Sequence, residues 1–274
     1  MKIWMATAAA ATVMFAPLAS AKVLIDIDGA VGYNFNSLNN GTLMEGDVDL
    51  TSDNISANEV GLNQEAENGL YAWAKVSVPI FPDVSVKYEN LVSSGTNSGA
   101  FTQEIYGESY NVTGEFESEL DMSYLDLSLT YGIPLPMASF DFGLNFRSLQ
   151  GGFELDGIVN GQQQSVSAPF EVSGTPIIVP MAYLSGSFTL PMADVTLGGE
   201  IKTLPLGDTN LTDWQIKGTW FAPLPTNLLV KLGIEAGYRN YGLTIGDSTL
   251  GADTSEFATE VNYSGFFAGA ALHF

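Results

Sequence analysis

The sequence has no cysteine, only nine Lys and Arg residues, and one histidine in 274 residues. Without cysteine the chain cannot form disulfide bonds, use a thiol nucleophile, bind zinc through thiolates or carry a lipid on an N-terminal cysteine. Its 31 Asp and Glu residues give a formal net charge of −22, which repels nucleic acid. Charged residues make up 15% of the chain, whereas about 25% is usual in a soluble domain. A hydrophobic content of 46% excludes a long disordered acidic protein.

Long apolar runs are also missing after Phe15, so no transmembrane helix is expected there. The N-terminus has Lys2, an uncharged run from residue 3 to 15, then Pro17 and the small residues 19–21. This order predicts a cleaved secretory signal peptide at residues 1–21, because the run is too short for a membrane anchor, which needs about 20 residues. Residues 22–274 would then form a single domain delivered to the cell envelope.

Ten segments of this domain alternate apolar and polar residues with a period of two, which is typical of strands with one apolar face. They are residues 23–35, 70–78, 84–89, 125–131, 140–146, 178–190, 195–202, 214–220, 228–238 and 266–274. Short proline-containing connections alternate with polar ones at about residues 36–66, 92–119, 150–175, 204–211 and 242–258. Short periplasmic turns and long extracellular loops are typical of outer-membrane barrels. The predicted fold is therefore all-β: a transmembrane, antiparallel, up-and-down β-barrel of about ten strands with acidic extracellular loops.

The basic residues support this assignment, because each strand's faces are defined without them. Apart from Lys2 and Lys22, every Lys and Arg falls on the polar phase, and the long loops contain none. A base that faced lipid at the bilayer midplane would cost about 2–4 kcal/mol. The strands of a soluble β-sandwich would also alternate apolar and polar residues. A sandwich explains neither the loops without bases nor ten outward apolar faces. The predicted lumen charge network comprises seven acids and seven bases: Asp26, Asp28, Lys75, Lys87, Glu89, Asp126, Asp141, Arg147, Glu200, Lys202, Lys217, Lys231, Glu235 and Arg239.

The balanced lumen charges favour a barrel that is plugged or very narrow. Small barrels fill their interior with side chains, and wide pores need 16 or more strands. The first functional hypothesis is thus a structural or envelope role with a closed lumen. The alternative is a narrow passive channel for small solutes, with a cationic strip of Arg147, Lys217, Lys231 and Arg239. A third hypothesis, a surface adhesin or receptor, depends on the long acidic loops.

The C-terminal segment ends on an aromatic residue with apolar residues at alternate positions before it, including Phe266, Leu272 and Phe274. It resembles the terminal-strand signal that the barrel assembly machinery reads in bacterial outer-membrane proteins. The mature chain also resembles a family of Gram-negative outer-membrane β-barrel proteins named for a Gly-Gly feature. The resemblance lies in residues 24–33, 70–82, 124–129, 237–239 and the last three residues. The candidate pairs are Gly151-Gly152 and Gly198-Gly199. The resemblance implies the fold and the outer membrane, and it carries no catalytic residue over.

Acidic residues at alternate positions in two loops suggest a possible divalent-cation site. These are Asp47, Asp49 and Asp53 in one loop and Glu115, Glu117, Glu119 and Asp121 in the other. Stacked carboxylates would attract Ca²⁺ or Mg²⁺, as in the ion layer that bridges lipopolysaccharide. Solvated loop tips are the simpler interpretation, and Ser52 stands where a calcium loop needs glycine.

No enzymatic activity and no cofactor are predicted. The only histidine, His273, lies one residue from the C-terminus with no nucleophile placed beside it by the sequence. The expected partners are outer-membrane lipid and lipopolysaccharide, with the barrel assembly machinery and periplasmic chaperones during biogenesis.

Overall fold

The structure is a computed structural model that describes residues 25–43, 48–56, 59–105, 108–172, 175–206, 209–224, 230–246, 248–249, 252–253 and 259–274. The predicted signal peptide lies outside these residues. Within the described ranges, no helix has the length and apolar character needed to cross a membrane.

The described residues form 22 strands in chain order. They are β1 (Asp26–Leu43), β2 (Val48–Asp49), β3 (Ile55–Ser56), β4 (Glu59–Gly61), β5 (Gln64–Ala66), β6 (Gly69–Ser77), β7 (Asp83–Glu89), β8 (Val92–Ile105), β9 (Glu108–Asp121), β10 (Tyr124–Pro134), β11 (Ala138–Leu149), β12 (Gly152–Val159), β13 (Gln162–Pro169), β14 (Glu171–Val172), β15 (Thr175–Pro176), β16 (Ile178–Leu190), β17 (Val195–Leu206), β18 (Thr209–Phe221), β19 (Lys231–Ile245), β20 (Ser248–Thr249), β21 (Ala252–Asp253) and β22 (Thr259–His273).

Ten of these strands close into an antiparallel barrel in chain order: β1, β6, β7, β10, β11, β16, β17, β18, β19 and β22. The closing pair is β1 with β22, which runs from Asp28 opposite His273 to Leu43 opposite Thr259 with one register shift between Leu38 and Asn40. The backbones of Ile27 and Phe274 exchange two hydrogen bonds just beyond this pair. The predicted ten-stranded barrel is therefore confirmed, and each predicted segment overlaps one barrel strand.

The outer surface of the barrel is apolar all the way round, because each barrel strand exposes large apolar side chains on its outward phase. One example from each strand, in chain order, is Val31, Leu70, Val86, Leu127, Phe142, Leu184, Leu197, Ile216, Ile234 and Phe266. A soluble protein rarely leaves so much contiguous apolar surface uncovered, whereas a membrane barrel needs such a band.

The two ends of the barrel differ as the sequence predicts. At one end, here called the turn end, short connections join β6 to β7, β10 to β11, β16 to β17 and β18 to β19. The opposite end, the loop end, carries the remaining connections. One of the predicted long loops is shorter than expected, because β17 and β18 remain paired up to Leu206 opposite Thr209.

Two other predicted loops, 92–119 and 150–175, are largely strands rather than irregular chain. Together with β5 they form a five-stranded sheet in the order β13-β12-β9-β8-β5, here called the outer sheet. The β12–β13 hairpin turns at Asn160 and Gly161, whose φ angles are 52° and 79°. Asn-Gly is the preferred pair for a two-residue type I′ turn, since both positions need a positive φ.

A buried apolar cluster, here called the cap, fills the loop end. The barrel wall contributes Leu43, Met181, Leu211, Tyr241, Leu243, Val261 and Tyr263. The connection between β1 and β6 contributes Val48, Leu50, Val60 and Leu62. The outer sheet and its flanks contribute Leu91, Val112, Phe116, Leu120, Met122, Leu155 and Val159.

Buried hydrogen bonds hold the cap together at one point where three parts of the chain meet. The Gln64 side chain donates to Ser118 at 2.9 Å and accepts from Ser93 at 2.9 Å. Ser93 and the Tyr263 hydroxyl are also 2.9 Å apart. Since Tyr263 belongs to the barrel and Ser93 to the outer sheet, these bonds fix the outer sheet to the barrel wall.

Candidate functional site

The lumen is divided into three zones along the barrel axis. The cap occupies the loop end, and a group of charged side chains lies beneath it. The cap and the charged side chains occupy adjacent layers, because inward-facing residues recur at every second position along a strand. Leu91 of the cap is thus the next inward residue after Glu89, and Tyr241 of the cap is the next after Arg239. A polar cavity occupies the part nearer the turn end.

The middle zone, here called the charge layer, has four acids and four bases. Its members are Lys87, Glu89, Asp126, Arg147, Glu200, Lys202, Asp213 and Arg239. Arg147 is fully buried, at 0% exposure, and its guanidinium makes a two-point contact with Asp126 through 2.8 Å hydrogen bonds from Nε and Nη2. The same Nη2 donates to Asp213 at 2.6 Å, and the guanidinium lies 3.6 Å above the Tyr124 ring.

Arg239 continues the charge layer across the lumen. Its Nε and Nη2 both donate to Asp213 at 2.7 Å, and Nη1 contacts Glu89. Glu89 also accepts from the Tyr124 hydroxyl at 2.8 Å and pairs with Lys87 at 2.8 Å. Asp213 therefore sits between two arginines, and carboxylates with such two-point arginine contacts form strong, oriented hydrogen bonds.

Lys202 extends the charge layer on the other side. Its Nζ donates to Asp126 at 2.9 Å and lies 3.3 Å from Glu200, which in turn accepts from Tyr183 at 2.9 Å. The charge layer thus draws on six strands, β7, β10, β11, β17, β18 and β19, and its formal charges cancel.

Below the charge layer lies a cavity of about 300 Å³, here called the turn-end cavity. Its wall includes the hydroxyl side chains Ser85, Ser128, Ser139, Ser185, Ser187, Thr196 and Thr219. Lys75, Lys87 and Lys217 also line it, and each of them is paired with a carboxylate. The cavity can therefore hold water or a small polar molecule.

Glu235 anchors a second inward group beside this cavity. Its Oε1 accepts from the Tyr71 hydroxyl at 2.8 Å and from the Trp73 indole at 2.9 Å. Its Oε2 pairs with Lys217 at 2.8 Å, and Lys217 lies 4.0 Å above the Trp73 ring. Tyr71 fits this position because Gly269 has no Cβ, which would lie 2.5 Å from the Tyr71 hydroxyl.

The remaining predicted lumen residues lie near the turn end. Lys75 bridges Asp83 and Asp141 at 2.9 Å each. Three other members of the predicted network lie at this end. Asp28 is 2.8 Å from Nδ1 of His273, and Lys231 is 3.6 Å from Asp194. Asp26 is exposed and makes no ion pair with the described residues.

Three functional residues were missed from the sequence-based network. Asp213 lies between the predicted loop at 204–211 and the predicted strand, which begins at Trp214, although its inward phase relative to Gln215 and Lys217 could have revealed it. Asp83 and Asp194 were assigned to turns, yet each carboxylate pairs with a lysine of the lumen or its rim. Strand ends are difficult to locate from periodicity alone, since one further residue does not change the pattern.

The outer sheet brings together acids that are distant in the sequence. Glu119 lies opposite Glu154, and Glu117 lies opposite Asp156, in neighbouring strands. With Glu65 and Glu67 these acids line a cleft of about 510 Å³. Partial burial, and then the neighbouring carboxylates, raise the pKa of Glu119.

The predicted cation-binding acids are arranged as follows. Glu115, Glu117 and Glu119 are on the exposed face of β9, and Asp121 lies at its end with its carboxylate capping the Ser123 amide at 2.8 Å. Asp49 accepts from the backbone amides of Thr51 and Ser52, Asp53 lies in the connection after β2, and Asp47 falls outside the described residues. Within the described part of the chain, no three Asp, Glu or His side chains form a metal-binding group.

The C-terminal residues of the predicted assembly signal lie in and after β22. Phe266 and Phe274 are 67% and 50% exposed on the outer surface, and Leu272 is partly exposed.

Comparison with known proteins gives a match only among solved structures. No family model and no curated protein matches the chain. The outer membrane protease OmpT from Escherichia coli aligns over 91% of this chain and 96% of its own, with 11% identity and a TM-score of 0.43. A Pseudomonas aeruginosa FadL homologue aligns over 91% of this chain and 89% of its own, with 8% identity and a TM-score of 0.27. A loop-deletion mutant of Vibrio cholerae OmpT aligns over 91% of this chain and 99% of its own, with 10% identity and a TM-score of 0.26.

The closed ten-stranded topology and the apolar outer band define the class of the protein: it has the fold of an outer-membrane β-barrel.

Proposed function

We propose that this protein is an integral outer-membrane barrel whose lumen is closed and whose role is structural, with the outer sheet presented at the cell surface. The observation that carries the proposal is the charge layer, in which every Lys and Arg is paired with a carboxylate. Three of its pairs, Arg147–Asp213, Lys202–Asp126 and Arg239–Glu89, join strands that are not neighbours in the barrel. Short turns lie in the periplasm in such barrels, so the turn end faces the periplasm and the loop end faces the medium.

Energetics support a permanently closed state. Opening a path through the charge layer would separate buried ion pairs, and removing one partner of such a pair costs about 3–5 kcal/mol. The cap adds a second, apolar barrier on the extracellular side. Water and small polar molecules can reach the turn-end cavity only from the periplasm.

The alternative of a narrow solute channel depends on free cationic groups along a path. The four bases of its cationic strip are all engaged: Arg147 and Arg239 with Asp213, Lys217 with Glu235, and Lys231 with Asp194. These pairs favour the closed barrel over the channel.

The proposal includes export by the N-terminal signal peptide and insertion by the barrel assembly machinery, which would read Phe266, Leu272 and Phe274. Periplasmic chaperones would accompany the chain, and lipid and lipopolysaccharide would surround it. No catalytic role is assigned to His273: its described polar contact is with Asp28, at the periplasmic end.

Planar-bilayer recording of the purified, refolded protein tests the proposal. We expect no steady conductance, whereas a general porin reconstituted in the same lipid conducts. Heat-modifiable mobility on unboiled gels shows that the barrel is folded. Protection from protease in vesicles of the same lipid shows that it is inserted. Steady porin-like conductance from inserted protein would contradict the closed lumen.

A further inference from the structure

The outer sheet ends in an exposed strand without charge. β13 forms one edge of this sheet, and among the described residues it pairs only with β12. Its sequence, from Gln162 to Pro169, contains no charged residue, and Gln162, Gln163, Gln164, Ser165 and Ser167 are exposed.

Hairpin geometry determines which backbone groups of β13 are free. The two-residue turn makes Val159 and Gln162 a hydrogen-bonded pair, and such pairs recur at every second position. The amides and carbonyls of Gln162, Gln164 and Val166 therefore point to β12. Those of Gln163, Ser165 and Ser167 point away from the sheet, where a further strand could pair with them.

Natural edge strands usually prevent such pairing with charged residues, proline or bulges. β13 has none of these before Pro169, which has no N–H and therefore ends the free stretch. This lack of protection stands out in a chain with 31 acids, because the next two strands of the sheet, β12 and β9, carry acids at alternate positions. The edge is thus open to strand addition over residues 163–167.

The surface beside this edge is strongly negative. Across the sheet, Glu119, Glu154 and Ser167 lie in one row, and Glu117, Asp156 and Ser165 lie in the next. A strand added to β13 would lie about 4.8 Å beyond it. The side chains of the added strand on this face would lie beside Ser165 and Ser167. If they are Lys or Arg, they are long enough to extend past these serines toward Glu154 and Asp156.

We propose that β13 binds an extended, basic polypeptide segment by strand addition. The outward backbone groups of Gln163, Ser165 and Ser167 provide the pairing, and Glu154 and Asp156 select Lys or Arg at alternate positions of the segment. A second copy of this chain is a poorer occupant, because its own acidic rows would be brought into the same plane. This inference goes beyond the closed-barrel proposal and does not depend on it, since a conducting barrel would leave β13 unchanged.

Calorimetric titration of the refolded protein in detergent tests the inference with three synthetic probes. The first is a blocked seven-residue peptide that alternates Thr and Lys, the second replaces each Lys with Glu, and the third is the Lys peptide with N-methylated backbone amides. We expect binding of the first peptide that weakens as salt is raised, and at least about tenfold weaker binding of the other two.

Matched variants at one position separate strand addition from general charge attraction. Ser165→Pro removes an outward N–H without disturbing a bond to β12, and edge positions of this kind tolerate proline. Ser165→Ala loses the hydroxyl contact with Glu154 but keeps the N–H. We expect about tenfold weaker binding for Ser165→Pro than for Ser165→Ala, and several-fold weaker binding for Glu154→Gln combined with Asp156→Asn than for the unsubstituted protein.

Three results would overturn the inference. Equal binding of the N-methylated and unmodified Lys peptides would show charge attraction without pairing, and it needs no variant that could misfold. Equal binding of the Glu and Lys peptides would remove the charge selection. Sedimentation that shows a dimer lost in Ser165→Pro but kept in Ser165→Ala would make a second copy of the chain the occupant.

Discussion

At the residue scale, the burial of individual charged side chains determines which way they face and which partners they need. Arg147 is fully buried, yet it keeps two carboxylates and an aromatic face around its guanidinium. An arginine on the opposite phase of β11 would face lipid, at a cost of about 2–4 kcal/mol. The inward phase of the bases is therefore a direct consequence of the membrane environment, and pairing with acids is a consequence of that burial.

Replacing Arg147 tests this reasoning at the residue scale. Arg147→Ala leaves Asp126 and Asp213 buried with one base each, so we expect the free energy of unfolding to fall by about 3–5 kcal/mol. Urea unfolding in detergent micelles, followed by tryptophan fluorescence, measures the change.

Lys231→Ala is the matched control, because Lys231 lies at the turn end, 3.6 Å from Asp194, with a side chain that is 36% exposed. Exposed pairs of this kind contribute about 0–1 kcal/mol. A loss for Arg147→Ala as small as the loss for Lys231→Ala would show that the charge layer does not stabilise the barrel.

Among the elements, the outer sheet departs most from the sequence-based expectation. Its strands were predicted as polar loops, because β8 and β13 carry few apolar residues. Two local signals nevertheless point to strands: Asn160-Gly161 between alternating segments, and the acids of β9 that alternate with Phe116, Ser118 and Leu120. What the sequence did not show is that β9 and β12 bring acids directly opposite each other.

The stability of the outer sheet should depend on pH through Glu119. Burial and the carboxylates of Asp121, Glu67, Glu154 and Asp156 raise the pKa of Glu119 above its ordinary value of 4.5. The Glu119 carboxyl therefore binds its proton more tightly in the folded sheet than in the unfolded chain. The stabilisation is fully present below pH 4.5 and is lost as pH rises through the raised pKa.

Glu119→Gln should therefore raise the opening free energy of the amides in β9 and β12 at pH 7 by a few tenths to about 1 kcal/mol. This change is measured as slower amide hydrogen exchange. The difference from the unsubstituted protein should disappear at pH 4. Glu115→Gln is the control, since Glu115 lies opposite Ser98 rather than another acid. Equal effects of the two substitutions would contradict a role for the facing acids.

For the whole molecule, the proposed closed lumen has two barriers in series, the cap and the charge layer. The cap depends on the outer sheet and on the connection before β6, whereas the charge layer belongs to the barrel strands themselves. Each barrier should close the lumen without the other.

Deletion of residues 93–119 with a short Gly-Ser linker removes the β8–β9 hairpin, which contributes Val112 and Phe116 to the cap and pairs with β5 and β12. We expect the shortened barrel not to conduct. Arg147→Ala with Arg239→Ala in the full-length protein should not conduct either. Only the combination should give steady conductance in planar bilayers. Conductance from the deletion alone would show that the cap is the only barrier.

The sequence by itself determined the ten barrel strands, their inward and outward faces and, apart from the β17–β18 connection, the order of short and long connections. It could do so because lipid outside and polar groups inside impose the same two-residue alternation on every strand. The tertiary structure alone decided which acid meets which base. Asp213 joins Arg147 and Arg239 from three different strands, and Glu89 reaches Arg239 across the lumen. Such partners depend on strand stagger and barrel closure, which bring together residues far apart in the chain and leave no mark on local periodicity.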